Sequence, residues 1–150
     1  MQLMTIGYSH SPPHIELATF YIGNACYGID ISNIQEINKL TDATPVPLAP
    51  EYVKGILNLR GQIITVVDVA KKLGLPSEND VCRQRNMIVL FENEFIGLLV
   101  DRIGDVLSAP WNSVEKPPAN VVGVQGQYFA GILKTEEQLI RILNIDAVLG

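Results

Sequence analysis

The stretch at residues 52–69, YVKGILNLRGQIITVVDV, decides the reading of this chain. Two apolar runs, residues 55–59 and 63–67, are joined through Asn58-Leu59-Arg60-Gly61-Gln62. β-branched residues crowd the second run, which suits a pleated and buried strand. Gly61 supplies a positive-φ position at little steric cost, so a tight reversal belongs there. The stretch therefore reads as a β-hairpin entering a central strand, with a short helix opening at Asp68. Arg60 falls at or beside the bend. A charged side chain raised by a rigid hairpin is a better site candidate than one on an ordinary surface loop.

Working outward, the N-terminal side reads as strands as well. Residues 1–14 are expected to form a flexible arm, and residues 15–150 a single domain. Residues 15–22 and 25–31 are two strands joined by the turn pair Gly23-Asn24. Ile31, Ile34 and Ile37 stand three apart, the spacing of one helix face, so a short helix is expected there after Asp30 or Ser32. Three prolines between Thr44 and Pro50 exclude helix and central strand, leaving an extended edge segment or a rigid loop.

On the C-terminal side, Asp68 caps a helix over 69–73 and Gly74 ends it. Residues 76–84 are polar, without periodicity, and read as a loop. A second set of strands follows: 86–91, a turn at Glu92-Asn93-Glu94, 95–100 with a bend, bulge or close approach at Gly97, and 103–107. A short extended piece at 111–115 and a loop over 117–127 come next. A last hairpin joins 128–134 to 138–143, and a final turn starts at Asn144 or Asp146. The chain is thus mainly β, in two hairpin-rich halves with strands crossing between them.

Composition narrows the function classes. A chain that is 47% apolar and 18% charged is globular rather than disordered. A formal net charge of -5, with basic residues scattered, argues against nucleic acid and against an anionic membrane surface. No secretory leader and no membrane-length apolar stretch is read. Cys26 and Cys82 fit neither zinc nor redox spacing and are expected as buried or half-buried free thiols in a reducing cytoplasm.

Reactive constellations are missing from the pattern. His10 and His14 lie beside prolines in the arm and have no carboxylate partner at ligand spacing. Asp30, Asp68, Asp101 and Asp105 read as caps and strand ends; Asp101 and Asp105 alone are spaced to approach each other. No serine sits in a nucleophile elbow, no glycine-rich phosphate loop exists, and Cys26 reads as a core thiol. The chain is expected to be no enzyme, with no cofactor and no metal. What remains is surface for protein binding. The candidates are Glu36, Asn58 and Arg60, the exposed members among Ile34, Ile37 and Val53, and Gly55, where a backbone approach or a bulge is expected.

A set of motifs carries a resemblance. They are Phe20 with Tyr27-Gly28-Ile29-Asp30-Ile31, Ile34-Gln35-Glu36-Ile37, Pro45-Val46-Pro47, and the run from Tyr52 through Asn58-Leu59-Arg60-Gly61. Val66-Val67-Asp68-Val69, Leu73-Gly74-Leu75, Gly97-Leu98-Leu99-Val100-Asp101 and Asp105-Val106-Leu107 follow, and then Gly131 ahead of residues 139–143. From about residue 15 onward the chain resembles the CheW-like domain family, the receptor-coupling adaptors of bacterial chemotaxis. The resemblance implies two intertwined, SH3-like five-stranded β-barrel lobes with a few short helices, and no catalysis.

It further implies a cytoplasmic protein, monomeric in isolation and recruited to membrane receptor arrays. Its partners would be the cytoplasmic tips of chemoreceptors, in a groove between the lobes, and the regulatory domain of a CheA-type histidine kinase, barrel end to barrel end. Glu36 and Arg60 are the polar groups carried over to these contacts, Arg60 acting partly by pairing with a carboxylate such as Glu36. Thr65 stands where the family's central strand usually has proline. Two other readings remain: a CheW-like scaffold serving a surface-motility or other kinase array, and a small-ligand or enzymatic β-barrel with an enclosed polar pocket.

Overall fold

The computed structural model describes residues 13–39, 42–78, 80–121 and 124–150, with only the backbone described at residues 120–121 and 124–125. The expected arm falls outside the described residues up to residue 12, and His14 already opens the first strand. The first hairpin forms where the turn chemistry places it. Strand β1 (His14–Ile22) reverses at Gly23, φ 60°, into β2 (Ala25–Asp30), in register from Leu17 opposite Asp30 to Ile22 opposite Ala25.

A single turn of 3-10 helix over Ile31–Asn33, capped by the Asp30 carboxylate on the Ser32 N–H, leads into β3 (Ile34–Asn38). Residues 34–37 are therefore strand, where a helix was expected. The physical reason is a bulge. Ile34 faces Val89 and Glu36 faces Ile88, so Gln35 is an extra residue without its own partner. The bulge puts Ile34 and Ile37, three apart, on the same face of a strand, which imitates helical spacing.

Strands β4 (Val53–Leu59) and β5 (Gln62–Asp68) form the central hairpin, and β5 runs into helix α1 (Val69–Leu73). The Asp68 carboxylate accepts the Lys71 N–H at the start of α1, and Gly74 ends it at φ 70°. Strands β6 (Arg85–Phe91) and β7 (Glu94–Val100) turn at Glu92-Asn93, both with positive φ. The close approach at Gly97 is real: a Cβ there would collide with the Asn86 amide, which lies fully buried.

The remaining strands are β8 (Arg102–Pro110), β9 (Val114–Glu115), β10 (Asn120–Val121), β11 (Val124–Gln125), β12 (Phe129–Lys134) and β13 (Leu139–Leu143). Helix α2 (Ile145–Leu149) closes the described chain, capped by Asn144.

These strands build a six-stranded sheet, order β8-β1-β2-β13-β12-β9, a five-stranded sheet, order β3-β6-β7-β5-β4, and the small pair β10-β11. Consecutive hairpins do not stay together: β1 and β2 pair with β8 and β13 from the far end of the sequence. The five-stranded sheet is built from the contiguous strands β3–β7, and the six-stranded sheet from strands that precede and follow them. Both large sheets are open, and this overturns the expected pair of five-stranded SH3-like barrels. Among the described residues no ladder joins the edges β3 and β4 of the five-stranded sheet, and an isolated bridge pairs Thr44, beyond β3, with Ile56 of β4. Beyond Thr44 the chain turns at residues 46–49, the Ala49 N–H donating to the Val46 carbonyl, and the bridge is not extended into a ladder. In the six-stranded sheet β9 is only two residues long and pairs with β12 alone.

The main core lies between the sheets. Phe20, Tyr27 and Phe129 stack in series from one sheet and meet Met87, Val89 and Leu98 from the other and Val69 from α1. Each such fully buried side chain stabilises the fold by about 1.5–3 kcal/mol relative to exposure. A second, separate cluster around Leu17, Cys26, Ile140 and Ile142 belongs to the six-stranded sheet.

Candidate functional site

The central hairpin reverses in two residues, Arg60 at φ 51° and Gly61 at φ 84°. Two successive positive-φ residues match the right-handed twist of the flanking strands. The Asn58 side chain supports the bend, its Oδ1 accepting the Gly61 N–H at 2.9 Å. Asn58 is thus committed to the turn. Arg60 occupies a conformation that costs an ordinary side chain energy, and it projects from the tip with its side chain 71% exposed.

The tip of this hairpin reaches the opposite edge of the same sheet. The Arg60 guanidinium donates to Glu36 Oε1 on β3, and Asn38 Nδ2 donates to Glu36 Oε2 at 3.0 Å. Glu36 and Asn38 share a strand face, as their partners Ile88 and Asn86 do. The Asn38 amide, followed by the Arg60 guanidinium, holds the Glu36 carboxyl below its ordinary value of 4.5. The ion pair spans the unpaired seam between β3 and β4, beside the Thr44 bridge. Gly55 lies on that seam: a Cβ there would meet the Thr44 carbonyl oxygen at 2.6 Å. Both expectations for Gly55 hold, since the β4–β5 register also shifts between Val53 and Gly55.

The other candidates separate. Ile34 packs against the main core, and Val53 is half-buried opposite Val67. Ile37 stays 42% exposed, on the face of β3 opposite to Glu36. The structure therefore brings Glu36, Arg60, Asn58 and Gly55 to one seam, and leaves Ile34 and Val53 as packing. Reading residues 34–37 as helix hid Asn38, whose i+2 relation to Glu36 is a strand relation.

A further polar residue was legible only as a strand end. Asp101, 5% exposed, accepts the Gly23 N–H at 2.7 Å, the Ser77 hydroxyl at 2.6 Å and the Glu78 N–H at 2.8 Å. It ties the β1–β2 turn to the segment that follows α1, at the point where the chain passes from one sheet to the other. It does not pair with Asp105, whose backbone carbonyl instead accepts the Thr19 hydroxyl.

Cys26 is a buried free thiol raised above its ordinary value by desolvation, while Cys82 is exposed, contrary to expectation. His10 lies outside the described residues, and His14 is exposed on β1. Trp111 is 43% exposed and borders a crevice of about 300 Å³ between the lobes, with Leu90, Asp30, Asn33 and Leu143. Among the described residues, no group of three or more His, Cys, Asp or Glu side chains is placed to hold a metal, and no helix is long and apolar enough to cross a membrane.

The arrangement offers a charged, sterically fixed seam and a crevice lined by both apolar and polar side chains, a surface suited to recognition. Comparison with known proteins gives the same direction. The model of the CheW-like domain matches residues 16–150. The chain is 34% identical to the chemotaxis protein CheW of Thermotoga maritima over 135 residues, covering 89% of this chain and 87% of that one. It is 33% identical to CheW of Treponema pallidum over 134 residues, covering 87% of this chain and 79% of the relative.

Among solved structures, the scaffolding protein TtCheW from Thermoanaerobacter tengcongensis superposes with a TM-score of 0.86 at 31% identity. That match covers 97% of this chain and 94% of the other. On the strength of a family match over nearly the whole chain and a shared two-lobed architecture, this chain belongs to the CheW-like domain family.

Proposed function

We infer that the protein is a non-enzymatic adaptor of chemotaxis signal transduction, coupling transmembrane chemoreceptors to a CheA-type histidine kinase. The observation that carries this reading is the family match over residues 16–150, joined to a surface built for recognition. In finer detail, the crevice between the lobes, with Leu90 and Trp111 exposed at its margin, receives the receptor tip. The Glu36–Arg60 seam lies at the end of the five-stranded lobe and contacts the kinase regulatory domain, with Ile37 and Asn58 at its border. Gly55 keeps the Thr44 segment close enough to hold that edge in place. The protein works on the cytoplasmic side of the membrane, where receptors and kinase assemble into arrays.

Arg60 and Glu36 act here as a unit. The pair closes the seam and presents its remaining donors and acceptors at a defined position, so loss of either partner should impair coupling to a similar degree. The test is a pull-down with the organism's CheA-type kinase and with receptor tips, using wild type, Glu36→Gln, Arg60→Asn and Trp111→Ala. Asparagine tolerates the left-handed backbone at position 60, so Arg60→Asn keeps the turn. The expected result is reduced kinase capture by the first two variants and reduced receptor capture by the third. Undiminished kinase capture by a folded Arg60→Asn protein overturns the role given to the seam.

A further inference from the structure

A cleft of about 660 Å³ lies away from the Glu36–Arg60 seam. Its walls are the Gly23-Asn24 turn, residues 76–78, and the start of β13 from Gln138 to Arg141. Ile22, Ala25, Pro76 and Leu139 make it partly apolar, and Leu139 is 42% exposed. Two of these walls are fastened to each other through Asp101, which holds both the Gly23 and the Glu78 backbone N–H. The cleft is therefore preformed by a buried carboxylate with three donors.

Arg141 is the one cation among the described residues lining this cleft. Its Nη1 donates to the Cys26 carbonyl at 3.3 Å, and its guanidinium stands 5.7 Å from the Tyr27 ring centre. No carboxylate among the described residues lies within ion-pair distance of it. Its Nε–H is buried and has no acceptor. The guanidinium lines the cleft with no carboxylate to neutralise it, and a carboxylate is the ligand group whose two oxygens match its fork. Glu78, at the rim, is the one anion of the lining.

We propose that this cleft is a second docking site, which takes an acidic side chain flanked by an apolar one from a segment of a protein partner. The carboxylate meets Arg141, and the apolar neighbour covers Leu139 and Pro76. The choice of a protein partner rests on the adaptor reading above; the preference for a carboxylate rests on the cleft alone. Charge complementarity sets its direction: an acidic ligand satisfies Arg141, and Glu78 moderates the affinity.

The test is an NMR titration of the full chain, following the Arg141 Nε–H and the Leu139 methyls. The probes are sodium benzoate, its uncharged analogue benzamide, and the peptides acetyl-Leu-Glu-Phe-amide and acetyl-Leu-Gln-Phe-amide. Benzoate and the Glu peptide should give saturable shifts, while benzamide and the Gln peptide should bind at least about tenfold more weakly, as loss of a charge-assisted hydrogen bond implies. Arg141→Gln should abolish the preference, and so should Leu139→Asp, an exposed substitution that leaves the core intact. Glu78→Gln should tighten the acidic probes. Equal binding of charged and uncharged probes, or no saturable shift, overturns the site. Binding of benzoate without the Glu peptide overturns the partner segment. Neither failure touches kinase or receptor capture, which is read separately in the pull-down.

Discussion

At the scale of single residues, Glu36 carries the clearest electrostatic signature on the surface. Its carboxylate is held by the Asn38 amide and the Arg60 guanidinium, and both favour the ionised form. The sign of the resulting pH dependence follows from linkage. A carboxyl whose folded value lies below its unfolded one adds stability above the unfolded value, and that stability is lost as pH falls through the folded value. Urea unfolding should therefore separate wild type from Glu36→Gln at neutral pH, and the difference should shrink as the pH drops below 4.5, the ordinary value of the group. A gap that is constant across this range contradicts the assignment. Gly55 is a second residue-scale case. A methyl group there would press on the Thr44 carbonyl oxygen, at a backbone φ of 153°. Gly55→Ala should cost about 1–3 kcal/mol in urea denaturation, the range for strained backbone positions.

At the scale of elements, the β4–β5 hairpin and the bulged strand β3 explain each other. The hairpin was legible because turn chemistry is local: Gly61 accepts positive φ, and the strands on either side are apolar. The strand β3 was not legible, because Gln35 adds one residue and converts a strand alternation into a three-residue spacing. Arg60 sits at the first turn position, where Asn is a preferred residue. Arg60→Asn should therefore unfold at an unchanged or higher urea concentration, even though it loses the contact with Glu36. A clear drop would show that the exposed ion pair outweighs the backbone strain at this position.

At the scale of the whole molecule, the chain crosses between sheets and Asp101 marks one crossing. Three donors from two segments converge on its buried carboxylate. Asp101→Ala leaves those donors without their acceptor and should cost about 2–3 kcal/mol, with a matching loss in thermal midpoint. Asp101→Asn retains one acceptor oxygen and should fall between the two. Ser77→Ala removes a single donor and should have the smallest effect of the three. An Asp101→Ala protein as stable as wild type would mean that water replaces the carboxylate at no cost.

Local chemistry written in the sequence determined the turns, the caps and most of the strands. Gly23-Asn24, Arg60-Gly61, Glu92-Asn93, Asp68 and Gly74 each act over a few residues, so their effects can be read without knowing what packs on them. The motif pattern also carried the family, because the same spacing of turns and apolar runs recurs over nearly the whole chain. Tertiary structure alone decided which strands share a sheet, whether those sheets close, and which polar groups meet. Glu36 and Arg60 are 24 residues apart, and Asp101 lies 78 residues from Gly23; each contact depends on how the sheets curve and cross. The open seam has the same origin. Strand propensity favours pairing, but after the single bridge at Thr44 the chain turns back on itself at residues 46–49, the Val46 carbonyl taking the Ala49 N–H, so the ladder that would close the sheet is not continued.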